Sequence, residues 1–345
     1  MKQSVILFAA ALAFAACSQD SEDRSQDSNI IQLSAAISGG DGVKAGTRAY
    51  DATEANYQNT QFVDGKLIHV YAFDHPTAGE AATTPYTNAN YTVSSTQGSA
   101  TGSKLLNGTM YYSATGNPID LLAFYPSTIT NASTQDFPTS GNITDQDAIG
   151  EYQNFDVMWA DRKTNCTKGT GTGTVHSLTF HHAMAQIIVN VSADTDAGVS
   201  HNDVKTLLTA VKIKNTVPVA TLTLNTTTGE MAAAKKSTES VADINITGAF
   251  IDADNKFQSI GVIVPQTVDK GTAFIEVTYA GNTYTYSLPN EASDTNKDFT
   301  KGTKYVYSFK MKAAGIQLES LSITDWSVDT NADGQGNSGS EDFTI

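Results

Sequence analysis

The chain has 345 residues, of which 40% are apolar and 17% charged, enough apolar material for one or two buried cores and too much for a wholly disordered chain. Its formal charge of −15, from 21 basic and 36 acidic residues, disfavours nucleic acid as a partner, because phosphate backbones bind basic surfaces. Its 2 cysteines cannot build a disulfide framework or a multi-thiolate metal site, and the many Thr, Ser, Asn, Tyr and Val residues favour strands and turns over helices.

Lys2 precedes an unbroken apolar run from Val5 to Ala16. A bilayer span needs roughly 20 such residues, so 1–16 read as a signal peptide. Ala15 and Ala16 lead into Cys17, a pattern that resembles a bacterial lipobox, whose cysteine is acylated and becomes the new N-terminus; Phe14 stands where Leu is usual. Plain cleavage by the ordinary signal peptidase is the alternative. Asp20, Glu22 and Asp23 then resemble the surface-export signal of Bacteroidetes lipoproteins, within a polar tether over 18–29. Residues 17–48 are thus expected to form a lipidated tether and pro-segment, with the protein on the surface of the cell outer membrane and held there by its lipid.

Ile31, Leu33, Ala35 and Ile37 alternate with Gln32, Ser34 and Ala36, which predicts a strand over 30–37 with one apolar face. A Gly-rich loop follows from Ser38 to Ala49 with Arg48 near its end, the kind of exposed loop that proteases cut. The apolar runs Leu67 to Phe73, Ile119 to Tyr125 and Phe155 to Ala160 read as buried strands, the second stopped by Pro126. The polar stretches 77–103 and 127–150 are expected to be surface insertions or weak strands. Lys168 to Thr174 has the glycines of a phosphate loop but no helix pattern after it, so it reads as a linker dividing 49–173 from 174–345.

In the second half, Leu178 and Phe180 share one parity while Ala183, Ala185, Ile187, Val189 and Val191 share the other, which predicts a bulge near His181 or His182. Residues 200–211 read as a short helix. The segments 274–279 and 283–288 flank Ala280, Gly281 and Asn282, a hairpin with a three-residue loop. Tyr305, Tyr307, Phe309 and Met311 mark a further strand. The class is all-β, read as two sandwiches of short strands.

Few residues suggest chemistry. Asp329, Asn331 and Asp333 with Gly334 resemble the start of a calcium loop, but position 12 is Ser340 and Glu341 comes one residue late, so a solvated tail is the better reading. His181 and His182 are adjacent on a strand and point to opposite faces, which argues against a shared metal with His176. Cys166 reads as a strand-end or loop thiol without a role, and Trp159 and Trp326 as core residues rather than sugar platforms. No nucleophile elbow or metalloprotease motif is present, so neither an enzyme nor a cofactor is expected.

Cys17, Thr47-Arg48-Ala49, Asp120 to Pro126, Phe180 to Ala185 and Ile323-Thr324-Asp325-Trp326 occur in an order and spacing that resembles the fimbrillin-like proteins of Bacteroidetes, subunits of the lipoprotein-derived type V pilus. The resemblance covers nearly the whole chain. It implies two tandem transthyretin-like β-sandwich domains, over 49–173 and 174–345. It also implies acylation at Cys17, cleavage by an Arg-specific protease between Arg48 and Ala49, and loss of the strand carrying Ile31, Leu33, Ala35 and Ile37. Other fimbrial subunits are then the partners, and the fimbrium supports adhesion.

An amphipathic strand on a cuttable loop is by itself a removable part of a sheet, and removal leaves a template for another strand. The alternative is that 30–37 stays attached as the first strand. Ile316-Gln317-Leu318-Glu319 repeats Ile31-Gln32-Leu33-Ser34, and Leu321 and Ile323 continue after a parity shift, so 316–345 is the candidate donor segment; the alternative is a last intrachain strand. The competing function is a monomeric surface lipoprotein or tip adhesin that binds glycan or host ligand through 77–103 and 127–150.

Overall fold

The computed structural model describes residues 29–38, 61–76, 82–99, 102–139, 143–146, 151–169, 174–246, 248–291 and 294–326. The first strands are β1 (Gln32–Ile37), β2 (Leu67–Asp74), β3 (Thr87–Gln97), β4 (Lys104–Asn107), β5 (Ile119–Tyr125), β6 (Thr134–Phe137) and β7 (Asp145–Gln146). After a 3-10 turn at Glu151–Phe155 come β8 (Met158–Ala160), β9 (Lys163–Cys166), β10 (Val175–His182) and β11 (Ala185–Ala193). Helix α1 (His201–Leu207) leads into β12 (Leu208–Thr216), β13 (Ala220–Leu224), β14 (Met231–Lys235), β15 (Ala242–Ile246), β16 (Gly248–Ile251) and β17 (Lys256–Ile263). The chain finishes with β18 (Gln266–Val268), β19 (Ala273–Tyr279), β20 (Asn282–Ser287), β21 (Lys297–Phe299), β22 (Thr303–Lys312) and β23 (Gly315–Asp325).

The first sheet runs β2-β3-β4-β1-β10-β8-β5-β9, and β2 also pairs with β5. Backbone pairing therefore returns to its start, a closed circuit of strands with β9 attached beside it. Its interior is apolar because alternate residues of each strand point inward: Ile68, Val70 and Ala72 from β2, Ile119, Leu121 and Ala123 from β5, Leu178 and Phe180 from β10. The other face of β2 and β5 is buried too, since Tyr71, Phe73, Leu122 and Phe124 belong to a second, larger core. Two buried faces explain why both strands are continuous apolar runs rather than alternating ones.

The second core lies between two five-stranded sheets, β16-β17-β11-β22-β23 and β20-β19-β12-β15-β7. Val189, Tyr307 and Phe309 come from the first sheet, and Val211, Ile213 and Ile275 from the second. The polar segments of the first half supply β3 to the circuit, β6 to the sheet of β13 and β14, and β7 to the sheet of β15.

Three sequence expectations change. The parity switch at His181–His182 is not a bulge in one strand: β10 ends at His182, the chain passes through Ala183 and Met184, and β11 begins in another sheet. The sheets therefore part at 183–184, and β10 belongs with β1 although it follows the linker at 168–174. The hairpin at 280 is tighter than three residues, because Tyr279 pairs with Asn282 and only Ala280 and Gly281 turn, with φ of 49° and 77°. Two consecutive positive φ values make the type I′ turn that suits a twisted hairpin. The helix expected over 200–211 stops at Leu207; Ser200 and Asp203 form its capping box, and the β-branched, alternating residues after it enter β12 instead.

Candidate functional site

β1 is a central stave of the circuit. It runs parallel to β10, with Gln32 opposite Val175 and Ile37 opposite Phe180, and antiparallel to β4, with Leu33 opposite Leu106 and Ala35 opposite Lys104. Ile31, Leu33, Ala35 and Ile37 are all at most 3% exposed. They share one buried cluster with Phe62, Tyr91, Val93, Leu106, Leu178 and Phe180. Structure thus brings the four residues of the predicted apolar face together inside one slot.

Both ends of the strand are tied by backbone bonds. The Ile31 N–H donates to the Met110 carbonyl at 2.8 Å, the Tyr112 N–H to the Asn29 carbonyl at 3.0 Å, and the Ser38 N–H to the Phe180 carbonyl at 2.7 Å. The Tyr91 hydroxyl donates to the Ile31 carbonyl at 3.0 Å. Its ring lies against Gly108, where a Cβ would come within 2.5 Å of it, so a close approach requires glycine there. Beside Leu33, His176 of β10 places its Nε2 2.6 Å from the Tyr112 hydroxyl. Burial, then the Lys163 charge, holds His176 below its ordinary value near 6.5. These bonds were invisible in the sequence, because they join residues sixty or more positions apart.

The candidate donor residues lie in a different sheet from β1. β23 is an edge strand of its sheet and pairs with β22 from Gly315 opposite Lys312 to Asp325 opposite Thr303. Ile316, Leu318, Leu321 and Ile323 are partly buried against the larger core. The expected parity shift is a bulge: Ser308 faces Ser320 and Phe309 faces Leu318, which leaves Glu319 unmatched. Trp326 closes the strand, fully buried and stacked on His182 at 4.0 Å between ring centroids. Cys17, Arg48, Ala49, Asp329, Asn331 and Asp333 lie outside the described residues.

The three histidines are kept apart. His176 pairs with Tyr112, His181 Nε2 with Asp161 at 3.0 Å, and His182 Nδ1 with Asp156 at 2.9 Å. Burial pushes the Asp156 carboxyl up, and His182 opposes that shift. Cys166 is a buried thiol at the end of β9, pushed up to about 11 by burial, which makes a thiolate scarce. Among the described residues no group of three or more His, Cys, Asp or Glu side chains is placed to hold a metal.

One buried cluster went unread in the sequence. Asp120 on β5 accepts from Arg162 Nε at 3.2 Å and Nη2 at 3.1 Å, from the Asn165 N–H at 3.0 Å, and lies 2.6 Å from His75 Nδ1. Arg162 also donates to the Thr226 carbonyl at 2.8 Å and the Ala82 carbonyl at 3.1 Å, and its guanidinium lies over the Phe73 ring at 4.7 Å. It therefore fastens the wall of the circuit to the turn after β13. A carboxylate inside the apolar run Ile119 to Tyr125 was the available signal, since such a group needs a buried partner.

Comparison with known proteins places this architecture. Residues 47–326 match the model of the fimbrillin-like family. The chain belongs to the fimbrillin-like family. It is 25% identical to a candidate fimbrium subunit, Fim1C, of Bacteroides uniformis, over 98% of this chain and 99% of that one. Its fold is similar to that of a candidate cell adhesion protein from Bacteroides uniformis, with a TM-score of 0.57 and 19% identity over 86% of this chain and 98% of that one. A second, from Bacteroides ovatus, has a TM-score of 0.54 and 18% identity over 87% and 99%. The fimbrillin-like match begins at Thr47 and so leaves β1 outside it.

Proposed function

We propose that the protein is a structural subunit of a surface fimbrium, exported as a lipoprotein acylated at Cys17, cut between Arg48 and Ala49, and assembled by strand replacement in the β1 slot. The observation that carries this reading is the position of β1. It fills a central place in a closed sheet, yet it belongs to a segment that precedes a Gly-rich stretch of sequence and falls outside the family match. Its loss would turn β4 and β10 into facing edges with unpaired N–H and C=O groups above an apolar trough, the condition under which an added strand gains both backbone bonds and side-chain anchors. The circuit and the facing five-stranded sheets are read here as the two transthyretin-like sandwich units.

The segment 316–345 is this chain's own candidate to donate into a neighbouring subunit. Donation by its first part requires β23 to leave β22, and at the edge of its sheet β23 has only one set of strand pairings to give up. The outer membrane holds the precursor by its lipid, an Arg-specific protease matures it, and other fimbrial subunits are its partners.

Arg48→Ala tests the reading. The variant should reach the cell surface in normal amount, keep the segment before residue 49, and be missing from sheared filaments on immunoblots. Filaments containing the variant at wild-type level would refute processing as the trigger of assembly.

A further inference from the structure

Inward residues of β1 alternate with outward ones, and outward ones on a one-faced strand should meet solvent. Gln32 and Ala36 are half-buried, but Ser34 is 1% exposed. The cause is the tip of the β3–β4 hairpin at Gly98 and Ser103. Register between the two strands slips between Val93 and Gln97, and the tip closes with the Gly98 N–H donating to the Ser103 carbonyl at 2.9 Å. The tip lies across the outside of β1: a Cβ on Gly98 would come within 3.1 Å of the Ser34 Cβ and 2.4 Å of the Ser103 Oγ, and Ser103 is fully buried. At this point the strand is covered on both faces, with Ala35 inside the core and Ser34 beneath the tip.

We propose that these two consecutive positions are a size and charge filter on the strand that replaces β1. This rests on the slot being the assembly groove. The fitting partner is an extended segment of another subunit with bulky apolar residues where Ile31, Leu33 and Ile37 sit, and small uncharged residues where Ser34 and Ala35 sit. The in-register neighbours of Ser34 are Leu105 and Ser177, so a carboxylate placed there has no cation as its in-register partner. This chain's own β23, set with Ile316 in the place of Ile31, brings Leu318 to Leu33 and Ser320 to Ala35. It also brings Glu319 beneath the tip and Ser322 to the place of Ile37. The slot therefore selects against β23 of an identical subunit in that register and favours a different subunit as donor, which makes the filament a heteropolymer at this joint.

The filter is tested by refolding. Full chain cut after Arg48 is unfolded in urea and refolded with excess labelled synthetic peptide spanning residues 30–38, and capture is measured by gel filtration. Peptides with Ser34→Glu or Ser34→Leu should be captured at least about tenfold less than the native peptide, while Ala36→Glu should be captured within about threefold of it. A peptide spanning 316–324 should be captured poorly, and its Glu319→Ser form better. Equal capture of the native and Ser34→Glu peptides would overturn the filter and leave the slot standing. No capture of the native peptide would overturn the slot, and the filter with it.

Discussion

A chain cut after Arg48 and then separated from the segment before residue 49 is expected to lose its stable monomeric fold. Ile31, Leu33 and Ile37 are each at most 3% exposed. Burial of side chains of that size contributes about 1.5–3 kcal/mol each, or about 5–9 kcal/mol together. That is comparable to the whole stability of an ordinary domain, about 5–15 kcal/mol. Cutting alone should change little, because the piece stays seated through its pairings with β4 and β10. Native mass spectrometry should show the cut complex intact, and refolding without the piece should give aggregates or strand-exchanged oligomers. A stripped chain that remains a well-folded monomer would contradict the stabilising role of β1.

Release of the piece should also depend on pH, through His176. Burial lowers its folded value below 6.5, so the unfolded or opened state binds the proton more readily. Its contribution is fully present above about pH 6.5 and is lost as the pH falls through the window below it. Release should accelerate as the pH falls below about 6.5, and His176→Gln should flatten that part of the dependence.

Asp120→Ala is expected to cost about 3–5 kcal/mol in urea unfolding, because it strands the Arg162 guanidinium in the interior. Both side chains are 2% exposed, so neither water nor salt can compensate. The same change removes the acceptor of the Asn165 N–H and the partner of His75. A paired replacement, Asp120→Leu with Arg162→Met, should recover much of the loss, since a buried ion pair and a packed apolar pair of similar volume differ far less than either does from an orphaned charge. Recovery would show that the cost lies in the unpaired cation. Arg162→Met alone should be costly as well, since it leaves Asp120 buried without its guanidinium partner and removes the bond to the Thr226 carbonyl.

Local patterns were legible wherever one element decided them. The alternation of Ile31, Leu33, Ala35 and Ile37 announced a strand with one buried face, and the continuous run at Ile119 to Tyr125 announced a strand buried on both. A short helix beginning near residue 200 was legible, but its early end depended on pairing of β12 with β15 and β19. The parity change at His181 and His182 is locally the same whether a strand bulges or leaves one sheet for another, so the sequence could not separate the two. Long-range closure of the circuit, the cover over Ser34 and the pairing of Asp120 with Arg162 join positions that are distant along the chain, and a single sequence carries no record of them. Asp120 was the exception that could have been found, because its chemistry conflicts with its neighbours.

The central claim is that β1 is a temporary occupant of its slot. Intact-mass and N-terminal analysis of subunits dissociated from filaments, purified from cells that produce the protein, tests it directly. Chains beginning at Ala49, with β1 absent and the slot protected from hydrogen exchange along β4 and β10, are the predicted result. Filament subunits that begin at acylated Cys17 and still carry Ile31 to Ile37 would contradict it.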